Sequence, residues 1–243
     1  ALALGPEQPF YAIQANALNS ADQSVMTIES LAATYIDKIK SVQPSGPFHI
    51  GGCCFGGVIA YEMSRQLVRA GERVLLFAIF EGYPPSFNSA KSKLMNEWFF
   101  AFNFLRNLPF WIRDYYQLSK LDRRQKNHRL SRVFRKRFMR LMGFNIEFDK
   151  HDVVDNAASL AERYQNVVEN NIQAMRRYQI KPFDGHMVLF RTPHRVPGRI
   201  EKPDRGWQKL SADIDIQMIT GTHTTMLKEP NVGVLADKLK SYL

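Results

Sequence analysis

Apolar and polar positions along this chain follow two rhythms, short apolar runs that suit strands and a three-to-four spacing that suits helices. Phe10-Tyr11-Ala12-Ile13-Gln14 reads as a strand. Ile28, Leu31, Ala32, Tyr35, Ile36 and Ile39 then share one stripe of a helix, with Asp22, Ser24 and Thr27 near its start as candidate caps. Pro44 and Gly46 end that unit. The short run Pro47-Phe48-His49-Ile50 enters a glycine-flanked turn that opens into a second helical pattern, closed by Ala70-Gly71. Arg73 to Phe80 is a nearly continuous apolar run, the mark of a strand covered on both faces. At Tyr83-Pro84-Pro85 the rhythm stops, and roughly a hundred residues of helical pattern intervene before His186 to Arg191 resumes the sheet. Ile214 to Ile219 is a further strand, after Gly206-Trp207, and Val232 to Leu239 a last helix.

Strands alternating with helices at these separations predict an α/β protein with a mostly parallel sheet and right-handed crossovers. The helical stretch reads as a large lid over the C-terminal ends of the strands, where open α/β sheets bind ligands. The expected organisation is a core over 1–85, a lid over 86–183 and the rest of the core over 184–243.

Composition narrows the class. With 243 residues, 45% of them hydrophobic, the chain can bury one large α/β core or two small ones. No secretory leader is expected, and the longest uncharged aromatic run, Trp98 to Leu105, is far too short for a membrane span. The two cysteines are adjacent, so a disulfide between them would be strained and no metal-ligand spacing exists. A reducing, cytoplasmic setting is the expectation. Residues 91–150 hold 15 of the 33 Lys and Arg and 5 of the 23 Asp and Glu, so this segment alone accounts for the net +10 and the other 18 basic and 18 acidic residues cancel. Arg123 to Arg140 predicts an amphipathic helix with a cationic face around Leu130, Val133, Phe134, Phe138 and Leu141. No nucleic-acid motif accompanies the charge, and neither nucleic acid nor a membrane is an expected partner.

The chemistry centres on Gly52-x-Cys54-x-Gly56, the spacing of a nucleophile elbow with cysteine as the nucleophile. A side chain held on a sharp strand-to-helix turn asks for small residues two positions either side. The helix that follows aims its free N–H groups and positive dipole end at the same point, favouring a thiolate and a developing oxyanion. No Gly-Lys-Ser/Thr follows, and the glycines do not spell a dinucleotide fingerprint. A buried structural thiol is the plainer alternative.

An activated cysteine wants a base, and the base an acid. His49 lies inside the elbow strand as a packing residue, His128 and His151 sit in the basic segment, and His186 and His194 flank a strand. His223 follows a buried-strand signal on a glycine-containing loop and precedes the last helix. For the acid, Glu81 ends the strand after the elbow, 27 residues beyond Cys54, and Asp204 after the next strand is its rival.

Gln8-Pro9-Phe10-Tyr11-Ala12-Ile13-Gln14, Gly46 to Gly57, Phe80-Glu81-Gly82-Tyr83-Pro84-Pro85, Leu189-Phe190-Arg191, Gly206-Trp207 and Gly221 to Pro230 together resemble the type I thioesterase domains of nonribosomal peptide and polyketide synthetases, which have the α/β-hydrolase fold. The resemblance covers all but the middle of the lid. It implies a Cys54–His223–Glu81 triad, the Phe55 N–H as one oxyanion donor, and an acyl or peptidyl thioester substrate on the phosphopantetheine of an acidic carrier protein. It implies no metal and no cofactor of the chain's own. The pattern is departed from at the nucleophile, usually serine, and at the acid, usually aspartate. It also begins with an earlier strand and oxyanion loop, so Phe10 to Gln14 is expected about two strand spacings, roughly 9–10 Å, from the elbow strand. The implied activity is release of the chain through an acyl-S-Cys54 intermediate, by hydrolysis or cyclisation. Transfer to a separate acceptor is an alternative on the same triad, and a non-catalytic module that binds a carrier or lipid is another. The lid aromatics between 94 and 118 suit either a lid core or the wall of an acyl channel.

Overall fold

The computed structural model describes residues 2–13, 27–85, 93–116, 120–144, 146, 162–193, 202–223 and 225–243. Four strands among them, β1 (Phe48–Cys53), β2 (Val74–Phe80), β3 (Met187–Arg191) and β4 (Ile214–Met218), form one sheet in that order, with every pair parallel. Parallel neighbours cannot be joined by a tight hairpin and need a crossover. Helix α2 (Phe55–Arg69) crosses from β1 to β2, and α1 (Ile28–Val42) precedes β1. Helices α3 (Lys93–Tyr116), α4 (Lys120–Leu141) and α5 (Glu162–Arg177) lie between β2 and β3, and α6 (Asn231–Lys240) follows β4. This is the α/β-hydrolase architecture with its helical insertion. β2 and β3 are direct neighbours, with Ala78, Ile79 and Phe80 opposite Val188, Leu189 and Phe190.

The continuous apolar runs are explained by two buried faces. Successive side chains of a strand point to opposite sides. Phe77, Ile79, Met187 and Leu189 pack with α1 and α2, whereas Leu76, Ala78, Val188 and Phe190 pack with Leu235 and Leu239 of α6. Ile28, Leu31, Ala32 and Tyr35 are the buried stripe of α1, and the Thr27 hydroxyl caps it by accepting from Ser30 N at 3.1 Å. The other candidate caps, Asp22 and Ser24, lie outside the described residues. Beneath the ends of β1 and β2, Trp207 is fully buried against Tyr61, ring centroids 5.3 Å apart, and its Nε1–H donates to Gly82 O at 3.0 Å. The Tyr61 hydroxyl donates to Lys181 O at 2.7 Å. These bonds tie α2 to the segments that enter β3 and β4.

Three expectations fail. Phe10 to Ile13 forms no strand, and Gln14 lies outside the described residues. Phe10 and Tyr11 are more than half exposed, so the segment buries too little to be held on the sheet, and the expected two-strand spacing has no strand to start from. His49 is exposed rather than packed, because alternation turns its neighbours Phe48 and Ile50 inward. The apolar stripe of α4 is not a buried one. Phe134, Phe138 and Leu141 are exposed, although Phe134 meets Phe100 and Phe104 of α3 edge-on at 5.7 and 5.0 Å. Its arginines take part in this packing. Arg137 lies 3.7 Å over the Phe100 ring and Arg123 5.9 Å over Tyr115, which are cation–π contacts rather than a purely solvated face. Trp98, Phe102 and Tyr116 are exposed. No helix among the described residues is long and apolar enough to cross a membrane.

Candidate active site

Between the end of β1 and the start of α2 stands Cys54, with φ 53° and ψ −118°. Positive φ at a non-glycine residue is strained, and such strain persists only where the surroundings hold it. Here the ladder holds it. The Cys54 N–H donates to Phe80 O at 3.1 Å, continuing the β1–β2 pairing one residue past the strand. A Cβ on Gly52 would lie 2.1 Å from the Gly56 carbonyl oxygen, so glycine is required there. A Cβ on Gly56 would meet open space, so the expectation of small residues on both sides holds at 52 and not at 56. The close approach is one-sided, of the strand at Gly52 against the helix backbone. Gly52→Ala is therefore expected to cost at least about 2 kcal/mol, whereas Gly56→Ala should change stability by no more than about 1 kcal/mol and in the favourable direction. Urea midpoints of the two variants check this contrast.

His223 sits on the loop after β4. Gly221 at φ +93° turns that loop tightly against Asn231 and Thr225. The Thr222 N–H donates to Thr225 Oγ1 at 2.8 Å and the Asn231 side-chain amide to Thr225 O at 3.1 Å, which brace the turn on α6. The imidazole arrives with Nε2 3.0 Å from Cys54 Sγ and Nδ1 3.6 Å from Glu81 Oε2. The second distance is that of an ion pair rather than a formed hydrogen bond.

Glu81 directly follows β2 at φ 54°, and its N–H donates to Phe190 O at 2.9 Å. Its carboxylate is 1% exposed. A buried carboxylate needs compensation, and it accepts three hydrogen bonds from two residues besides the histidine. The Thr192 N–H donates to Oε1, Arg205 Nη2 to Oε1 at 3.0 Å and Arg205 Nη1 to Oε2 at 2.5 Å. Arg205 itself is buried, at φ 52°, with its guanidinium 4.8 Å over the Tyr83 ring. Asp204, the rival acid, is occupied elsewhere. Its Oδ2 accepts from Gly206 N at 3.1 Å and Gln208 N at 3.0 Å, so it caps the turn that presents Arg205.

Burial alone pushes the Glu81 carboxyl up, but His223, the charge and hydrogen bonds of Arg205 and the Thr192 N–H outweigh it and hold the group at about 2. Facing that carboxylate raises His223 above its ordinary range against the cost of its own burial. The two thiols touch, Sγ to Sγ 3.5 Å. One proton leaves the pair easily, because the thiol that keeps its proton donates to the thiolate formed, with the His223 charge helping. The second proton is then held tightly.

Of the other histidines, His128 is exposed on α4, His186 pairs with Asp213 at 3.1 Å at the far margin of the sheet, and His151 and His194 lie outside the described residues. Phe55 opens α2, and its amide is among the four that no intrahelical carbonyl can satisfy. Sequence reasoning overlooked Arg205. No local pattern marks it, because its partner Glu81 lies 124 positions away. Among the described residues no three ligating side chains cluster as a metal site.

A family model described as Thioesterase domain matches residues 2–98. Chondramide synthase cmdD of Chondromyces crocatus is 29% identical across 98% of this chain, and the non-reducing polyketide synthase ntnG of Nectria sp is 35% identical across 54%. The chain spans only 6% of the length of either relative. The NocB thioesterase domain, solved in covalent complex with a fluorophosphonate nocardicin G analogue, superposes with a TM-score of 0.58 over 95% of this chain and 80% of that one, at 20% identity. That likeness establishes the shared fold.

Proposed function

We propose that the chain is a thioesterase domain that releases an acyl or peptidyl chain from the phosphopantetheine thiol of a carrier protein. The observation that carries this reading is the 3.0 Å contact of Cys54 Sγ with His223 Nε2 on a strained elbow. The family match over residues 2–98 and the synthetase relatives support the substrate class. A covalent adduct in the NocB domain agrees with a covalent route.

In this mechanism His223 Nε2 takes the Cys54 proton, and the thiolate attacks the thioester carbonyl. The Phe55 N–H, at the positive end of α2, stabilises the oxyanion of the tetrahedral intermediate. Collapse expels the carrier thiol, which receives the proton from His223, and leaves acyl-S-Cys54. Water, or a hydroxyl or amine of the chain itself, then attacks with His223 as base and yields acid or ring. Glu81 stabilises the imidazolium in both halves. It stays ionised because Arg205 and Thr192 share its charge. The chain needs no cofactor of its own on this route, and the basic helix α4 is the surface for an acidic carrier.

Intact-protein mass spectrometry after mixing with short acyl thioesters of a pantetheine analogue tests the reading. The expected result is one acyl mass increment on Cys54, and a fall in its rate of at least about a hundredfold in His223→Ala. An increment on no residue, or on Cys53 alone, would overturn it.

A further inference from the structure

Residue 53 is the remaining feature of the elbow without a role. In a regular strand, neighbouring side chains point to opposite faces. The positive φ of Cys54 breaks that alternation and folds its side chain back, so that the two sulfurs come within 3.5 Å. Only Cys54 then makes the 3.0 Å contact with the imidazole. Four groups face the Cys54 sulfur or its surroundings from separate elements. They are Cys53 at the end of β1, His223 after β4, Glu81 after β2 and Arg205 from the turn that follows β3. Glu81 opposes a thiolate and Arg205 favours it, and these two neutralise each other through their own bidentate pair. By distance, the imidazole at 3.0 Å and the neighbouring thiol at 3.5 Å are the two donors in reach of a Cys54 thiolate.

We infer that Cys53 is a positioning residue for the nucleophile, its S–H donating to the Cys54 thiolate so that the charge rests on the sulfur that faces His223. The inference rests on Cys54 being the nucleophile and adds a second donor to it. Pairing His223 with a single thiol leaves the proton shared between sulfur and nitrogen. A second S–H holds the thiolate in place without competing for the imidazole, because its own proton never has to leave. A hydrogen bond to a charged group contributes about 1.5–3 kcal/mol, which corresponds to about one to two pH units in the titration of the acceptor.

The test is the pH dependence of alkylation by iodoacetamide, read peptide by peptide by mass spectrometry. In the wild type, Cys54 is expected to be alkylated before Cys53, with a midpoint below that of an ordinary thiol. Cys53→Ala should raise the Cys54 midpoint by about one to two units, and Cys53→Ser, which keeps a donor, should recover part of that shift. Cys53→Val, also without a donor, replaces the alanine variant should that one not give a native circular dichroism spectrum. An unchanged midpoint in both donor-less variants, or preferential alkylation of Cys53 in the wild type, overturns the inference. The parent reading is judged separately by acylation of the wild type. An acyl adduct together with an unchanged midpoint removes only the role of Cys53, and absence of any adduct removes the thioesterase reading.

Discussion

Cys54→Ala is expected to form no acyl-enzyme, with the rate of thioester cleavage falling by about 10⁴–10⁶. The nucleophile of a covalent route has no stand-in here. Cys53 lies 3.5 Å away, but the 3.0 Å contact to His223 Nε2 belongs to Cys54, and the strained turn is what aims that sulfur. Cys54→Ser is the more informative variant. It should still acylate, more slowly, because a hydroxyl must lose its proton to His223 within the attack itself. Its oxoester intermediate is a poorer acyl donor than a thioester, so it should accumulate. An internal amine or hydroxyl that can capture the thioester loses ground to water as the donor weakens. The measurement is the ratio of cyclic product to free acid from one carrier-bound substrate. A ratio unchanged between cysteine and serine would remove any special role for sulfur in the second step.

Arg205→Met should destabilise the fold by about 3–5 kcal/mol, since it leaves the Glu81 carboxylate buried without its principal cation. Arg205→Lys keeps the charge and loses the two-pronged geometry, and should recover part of the loss. Chemical denaturation as a function of pH distinguishes this from a mere packing defect. Glu81 is held at about 2 against an ordinary 4.5, which contributes about 3 kcal/mol of stability above pH 4.5. That contribution is lost as pH falls from 4.5 through 2. The raised His223 acts in the opposite sense, its contribution vanishing as pH rises through its folded value, and it is saturated below pH 4.5. Without Arg205 the Glu81 carboxyl rises, so in Arg205→Met the acid-induced loss should still begin near pH 4.5 but end at higher pH and be smaller in total. The same acid profile in wild type and variant would mean that the guanidinium does not govern this carboxylate.

Much of this architecture is legible in the sequence because its signals are local. The elbow is written within a dozen residues, as a short apolar run, a glycine-bounded turn and a helical stripe. Glu81 is marked by the end of a strongly apolar strand, and His223 by the glycine-containing loop between a strand and the last helix. Arg205 was illegible for the opposite reason. Its partner lies 124 positions away, and only the turn capped by Asp204 makes them meet, so the same acidic residue that drew attention as a rival acid hid the basic one beside it. Phe10 to Ile13 misled because aromatic and branched residues favour a strand only when a neighbouring edge receives them. Gly56 misled because the spacing is symmetric in sequence while the steric demand is not. The α4 stripe misled because a helical period reports which residues share a face, and burial depends on what is brought against that face.

The pairing of β2 with β3 sets the scope for variation in this chain. Cys54 follows β1, Glu81 follows β2 and Thr192 follows β3, so the backbones at these three positions are separated by multiples of an interstrand spacing of about 4.8 Å. The segment holding α3, α4 and α5 leaves the sheet after Phe80 and returns at Met187, on the strand next door. Lengthening or shortening it changes the entropy of closing that loop only logarithmically, about 0.6 kcal/mol per doubling. It does not move either strand against the other. The insertion can therefore be remodelled without re-registering the strand ends that carry Cys54 and Glu81, which makes it the part of the protein free to diverge and the sheet edge the part that must not.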